Sequence, residues 1–246
     1  MLGQSQIYDV SHNPWVPRLP VKIQDPGDPF ANMDTPTMAN IGNTTIRVAS
    51  NGVTYSKNSV PLNNKIQPGI YCGGITIGDT NNVVYTFQPG IYILAGGGLN
   101  VGSAAKAAGT GVMFYNTGTG GTSYSSWGCP AKAYSSLAIT GQGELNLKAA
   151  TSGSFVGMLF YSDRTLGSGS GKFDQVVGNS SSTFDGALYF KKGNLKFAGT
   201  SAVSRYTVLV ADNISINGTS TIGNNYSALA NPNPFAPYST GGGMVE

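Results

Sequence analysis

The chain predicts an all-β fold, a right-handed parallel β-solenoid with about 21 residues per coil, and three observations predict it. The pentapeptide QPGIY occurs at Gln67–Tyr71 and again at Gln88–Tyr92, 21 residues on. A third segment at that offset, GVMFY from Gly111, keeps the apolar pattern, so that Ile70, Ile91 and Val112 share one position and Cys72, Ile93 and Phe114 another. Segments bounded by Gly or Pro at one fixed step read as equivalent strands on successive turns of a coil. Finally, no long stretch carries a 3.6-residue apolar period; GSAAKAAGT (Gly102–Thr110) is the one helix-prone piece, and very little helix is expected. A β-sandwich shares the short alternating strands but gives no reason for a repeating step.

Taken in order, residues 1–40 contain Pro14, Pro17, Pro20, Pro26, Pro29 and Pro36 and read as an extended N-terminal arm; 41–229 read as the solenoid and 230–246 as a Pro/Gly-rich tail. Pro68-Gly69 and Pro89-Gly90 are expected at the same corner of neighbouring coils, because Pro presets φ and Gly tolerates positive φ. The strands that follow are expected to turn Ile70, Ile91 and Val112, and Cys72, Ile93 and Phe114, into two inward ladders. A second strand comes next in ITI (Ile75–Ile77), LNV (Leu99–Val101), LKF (Leu195–Phe197) and ISI (Ile214–Ile216), where alternation puts the flanking residues inside and the middle one outside. ELNLK (Glu144–Lys148) does the same with Leu145 and Leu147. Late in the chain Ala187, Leu188 and Tyr189 precede Val208, Leu209 and Val210 by 21 residues, while GMLFY from Gly157 is out of phase. From Asn116 to about Tyr134 a Gly/Ser/Thr-rich excursion interrupts the coil. Both ends of a solenoid expose strand edges and apolar core, so the arm or the tail is expected to cover one of them.

Composition narrows the function classes. Only 10% of residues are charged and 35 of 246 are Gly, so Ser, Thr and Asn supply the surface polarity, as is common in secreted and cell-surface proteins. The formal net charge is +3, and the longest basic run is Lys191-Lys192, which argues against a nucleic-acid partner. No stretch approaches the ~20 apolar residues of a membrane span, and MLGQSQIYDV lacks the basic start and apolar core of an export signal, which suggests that any such segment has been removed ahead of Met1.

The chemistry-bearing residues are few. Polysaccharide lyases on parallel β-helices use Ca²⁺ held by several carboxylates with Lys or Arg as base. Here Asp163, Asp174 and Asp185 recur every 11 residues beside Arg164 and Lys172, and only Asp163 and Asp185, 22 apart, have the spacing to stack; the simpler reading is solvated loop residues. Glu144 is the only Glu before Glu246, which leaves no close acidic pair for glycoside hydrolysis, and the sole histidine, His12, excludes multi-His metal sites. No catalytic residue, metal site or cofactor is expected. Tyr124 and Trp127 in the excursion are the candidate ligand contacts, either as an exposed pair that stacks on sugars or with Trp127 capping the coil interior. Cys72 is either a small buried hydrophobe or half of a bridge to Cys129 in the excursion.

The stretch QPGIYCGGITI…VVYTFQPGIYILAGGGLNVG…GTGVMFYNTG resembles the C-terminal β-solenoid region of TadG-like proteins, of the bacterial tight-adherence pilus-assembly family, over roughly residues 25–120 and in style to about 225. DPFANMDTP (Asp28–Pro36) and the terminal MVE are similar to other family stretches. The resemblance implies a non-catalytic extracytoplasmic scaffold, membrane-anchored in full-length members, that works with pilus or cell-surface proteins in attachment, with a glycan as a further candidate partner. Family members often carry a cysteine upstream of YCGG; this chain has none there, which leaves Cys129 as the available partner of Cys72. The alternatives to this function are a pectate-lyase-like enzyme and a free-standing glycan-binding module.

Overall fold

The computed structural model describes residues 28–41, 47–56, 62–80, 82–140, 143–177, 182–198 and 207–217. Of the expected N-terminal arm only 28–40 are described, as turns and irregular backbone; the tail lies outside the described residues.

Among the described residues, alternating apolar and polar segments between Gly-rich corners fold into sixteen strands, numbered along the chain, and every pairing is parallel. They stack into three walls of a β-solenoid. The first holds β1 (Arg47–Ala49), β4 (Gly69–Cys72), β7 (Gly90–Ala95), β10 (Val112–Thr117) and β13 (Met158–Ser162). The second holds β2 (Val53–Tyr55), β5 (Ile75–Ile77), β8 (Leu99–Val101), β11 (Ala138–Ile139) and β14 (Asp174–Val177). The third holds β3 (Lys65–Ile66), β6 (Val84–Phe87), β9 (Lys106–Thr110) and β12 (Glu144–Lys148). The long β15 (Thr183–Ala198) bends through all three, and β16 (Thr207–Asn217) follows it along the first and second.

One apolar cluster fills the interior. Ile75, Ile77, Leu99, Val101, Leu195 and Phe197 reach it from the second wall, and Ile66, Tyr85, Phe87, Ala107, Leu145 and Leu147 from the third, as alternation predicts. Ile214 and Ile216, expected inside with them, pair with Leu195 and Phe197 but are 44% and 51% exposed on the last described strand. From the first wall come Tyr92, Phe114, Phe160 and Leu188, paired strand to strand, with ring centroids 5.1 Å apart for Tyr92–Phe114 and 5.2 Å for Phe114–Phe160. Phe87 meets both Tyr92 and Phe114 edge-on at 5.1 and 5.0 Å, a favoured aromatic geometry.

The first-wall register departs from the 21-residue step. Ile70 pairs with Ile93 and Cys72 with Ala95, a spacing of 23, whereas Tyr92 pairs with Phe114 and Ile93 with Tyr115, a spacing of 22. The expected inward ladders are therefore replaced: Val112 and Phe114 point in, but Ile70, Cys72, Ile91 and Ile93 lie on the outer side, because one residue of slip exchanges the faces of a strand. Corner glycines set this register. A Cβ on Gly74 would lie 2.3 Å from the Gly98 carbonyl oxygen and one on Gly97 2.1 Å from that of Gly73, so GG and GGG stack backbone on backbone regardless of where QPGIY falls. Pro68 and Gly90 do meet at one corner, as do Pro89 and Gly111. The 21-residue step holds where Ala187, Leu188 and Tyr189 pair with Val208, Leu209 and Val210. GSAAKAAGT yields β9 instead of a helix, because its small residues are needed where the third wall packs tightly: a Cβ on Gly109 would lie 2.9 Å from Phe87 Cβ.

Candidate functional site: a fastened insertion on the first wall

Between β10 and β11 the excursion leaves the coil, runs over the outer side of the first wall and returns. Its neck closes at Gly118, where a Cβ would lie 2.2 Å from Tyr134 N, and at Thr119, whose N–H donates to Lys132 O at 2.8 Å. A short 3-10 turn, Tyr124–Trp127, ends at Gly128 in the left-handed region at φ 63°. The wall beneath is apolar on this side as well: Ile70, Ile93, Tyr115, Tyr161 and Tyr189 form a ladder that is at most 2% exposed.

Three fasteners hold the insertion down. A disulfide joins Cys72 of β4 to Cys129, with the Cα atoms 5.3 Å apart, so the outward position of Cys72 serves a bridge. Next, Asp163, fully buried after β13, accepts hydrogen bonds from Thr122 N (2.8 Å), Thr122 Oγ1 (3.3 Å), Tyr115 OH (2.7 Å) and Thr117 Oγ1 (3.0 Å), and from Thr165 N (3.0 Å) and Oγ1 (2.7 Å). Lastly, Asp174 of β14, also fully buried, accepts from Leu137 N (2.8 Å) and from Tyr134 OH at 3.0 and 3.1 Å, while Ser162 Oγ donates to that phenol oxygen at 3.1 Å.

The two carboxylates sit in opposite electrostatic states. Burial raises the Asp163 carboxyl, but the donors on Thr165, Tyr115 and Thr122 outweigh it and hold the group below the usual 3.8. At Asp174 burial prevails over Leu137 N–H and Tyr134 OH and pushes the carboxyl up to about 6. Burial, then the neighbouring carboxylate, raises the phenol of Tyr115 beside Asp163 and that of Tyr134 beside Asp174.

Tyr124 and Trp127 do not form an exposed platform. Trp127 is 2% exposed with its ring 6.3 Å from Tyr115, and Tyr124 is 7% exposed with its hydroxyl donating to Pro130 O and accepting from Lys132 N. They are the insertion's own small core, and Trp127 covers the outer side of the wall where a cap on the coil interior was the alternative. The surface presented to solvent includes Ser125, Ser126, Pro130, Ala131 and Lys132.

Asp163, Asp174 and Asp185 are not solvated loop residues, and the 22-residue spacing of Asp163 and Asp185 does not stack them. Asp163 ends the first wall of one coil, whereas Asp185 lies in the third-wall part of β15, 3.8 Å from Lys148 Nζ. Glu144 pairs with Lys106 at 3.5 Å. Among the described residues no group of three or more Asp, Glu, His or Cys is placed to hold a metal ion. The sequence did carry one local signal for Asp163: in Asp163-Arg164-Thr165 an aspartate followed two residues on by a hydroxyl residue invites a turn that caps its own backbone. Tyr134, Thr122 and Tyr115 had none, since their partners lie 40 or more residues away.

A second feature of the outer wall is a groove of about 290 Å³ at the start of β7 and β10, lined by Ile41, Ile91, Met113 and Phe155 with Ser152 and Ser154 at its rim. No helix among the described residues is long and apolar enough to cross a membrane. No family model, no curated protein and no solved structure matches this chain.

Proposed function

We propose that this chain is a non-catalytic β-solenoid scaffold of the cell envelope that holds its insertion, residues 118–137, as a rigid contact surface for a protein partner in surface attachment or pilus assembly, as its resemblance to TadG-like proteins implies. The observation that carries this reading is the triple fastening of the insertion. Two buried carboxylates and the only two cysteines all act on one loop, which suits presentation of a fixed surface and opposes the mobility of a catalytic lid. A structural disulfide also fits an oxidising, extracytoplasmic compartment.

The test is made in the source organism. Ser126→Arg and Ala131→Arg alter exposed positions of the insertion and leave its core intact. The expected outcome is a folded chain in the envelope fraction and cells that attach poorly, with pilin and pilus-ATPase genes beside the coding gene. Wild-type attachment by the double variant, or a chain confined to the cytoplasm, overturns the reading.

A further inference from the structure

Around residues 163–196 the sequence interleaves acids and bases, and no basic run longer than two emerges. Folding sorts them. Asp163, Asp174 and Asp185 are 0%, 0% and 5% exposed, whereas Lys172, Lys191 and Lys192 are exposed and Arg164 and Lys196 partly so. These cations come from two successive coils at one edge, where the first wall turns into the second. The corner 163–173 of one coil packs on the corner 191–193 of the next: Asn194 N donates to Ser168 Oγ and Asn194 Nδ2 to Lys172 O, both at 3.0 Å, and a Cβ on Gly167 would lie 1.9 Å from Lys192 O. Arg164 lies over the rings of Tyr161 and Tyr189, 5.5 and 5.7 Å from their centroids, and its Nε donates to Tyr189 OH. Lys196 follows on the second wall opposite Gln175. Phe173, 37% exposed, sits among them, with the side-chain amides of Asn194 and Asn213 alongside. Asp212 is an exposed acid on the following coil.

We propose that this edge binds an extended acidic polysaccharide, a polyuronate in chemical class. Coils stack about 4.8 Å apart, so cations on two neighbouring coils, with the row ending at Asp212 on the next, suit successive carboxylates along a polymer better than one compact anion. The hydroxyl of Ser170 is exposed beside the cations and suits a sugar hydroxyl, and Phe173 offers an apolar face to a ring, while the amides of Asn194 and Asn213 bond to each other and, through Asn194, to Lys172 O, and so brace the two corners. The inference goes beyond the scaffold reading and rests on it only for where such a polymer would be met.

Binding of the purified chain to polygalacturonate, measured by affinity electrophoresis, tests it. The expected result is retardation that weakens as salt rises, with the fully methyl-esterified polymer giving none. Lys191→Ala with Lys192→Ala should weaken binding about tenfold, while Lys106→Ala on the third wall, where the lysine faces Glu144, leaves it unchanged. No binding, equal retardation by the esterified polymer, or no effect of the paired variant overturns the proposal. So does stronger association with phosphatidylglycerol vesicles than with the polymer, which would make the edge a membrane contact. The salt dependence is read on the unaltered protein and does not depend on how a variant folds. Attachment by the Ser126→Arg, Ala131→Arg protein leaves this measurement untouched, so the two readings fail separately.

Discussion

Asp163 and Asp174 are each wholly buried at the same edge, yet their surroundings drive them in opposite directions, and each makes a pH prediction. Asp163 has a folded value below the ordinary 3.8, so the stability it contributes is present at neutral pH and is lost as pH falls through that depressed value. Asp163→Asn keeps the shape but replaces a charged acceptor with a neutral one facing donors from Tyr115, Thr117, Thr122 and Thr165. It should cost about 2–4 kcal/mol in urea unfolding near neutral pH. Asp174 has a folded value raised to about 6, so the folded state takes up a proton more readily than the unfolded one, and stability falls as pH rises between 3.8 and about 6. Asp174→Asn retains an acceptor for Leu137 N–H and Tyr134 OH and removes the buried charge. Its melting temperature relative to the parent should therefore be higher near neutral pH than near pH 5; an equal difference at both would show that Asp174 is not the titrating group.

At the scale of elements, the corner glycines and the disulfide do different work. Gly73 and Gly74, at φ 85° and 79°, stack against Gly97 and Gly98 of the next coil, and the backbones come closer than any side chain permits. Gly74→Ala introduces both a strained φ and a clash with the Gly98 carbonyl, and should cost about 3 kcal/mol or more by calorimetry. The Cys72–Cys129 bridge has a sequence separation of 57, which in the chain-entropy model is worth about 4 kcal/mol. Alkylation without reduction should label neither cysteine. In Cys129→Ser, limited proteolysis should cut first within 119–133 while the coils persist, because Asp163 and Asp174 hold only the two roots of the insertion; a first cut in the coils would show that the bridge stabilises the wall instead.

For the whole molecule, stability is a sum over stacked coils, each resting on its neighbours. The shifted register makes a sharp comparison possible on one strand. Ile91 is partly exposed on the outer wall, whereas Tyr92 is fully buried inside with its hydroxyl donating to Ile66 O and Gln88 O. Ile91→Asp should shift the melting temperature by a few degrees, while Tyr92→Asp should abolish cooperative unfolding by placing an unpaired charge in the core. Phe114→Ala, in the centre of the aromatic stack, should cost about 3–5 kcal/mol. A larger loss for Ile91→Asp than for Tyr92→Asp would return the strand to the 21-residue register.

The parallel solenoid, its Pro-Gly corners and the inward faces of β5, β8, β12 and the LKF part of β15 are written in the sequence, because spacing and two-residue alternation are local properties, whereas the small residues of GSAAKAAGT hide the third-wall strand β9. The inward places of Leu145, Leu147, Leu195 and Phe197 follow from that alternation alone. The first wall is different: both of its sides are apolar and buried, so alternation cannot tell Ile93 from Tyr92, and the choice falls to the stacking of glycine corners one coil apart. The role of Cys72 depended on the same choice, since an inward cysteine packs and an outward one is free to meet Cys129. The fasteners were out of reach for a further reason. Asp163 and Asp174 meet their partners on the insertion across some 40 residues, and no local pattern records which loop returns over which wall. The basic edge likewise exists only after folding, when burial draws the carboxylates inward and leaves the lysines interleaved with them at the surface.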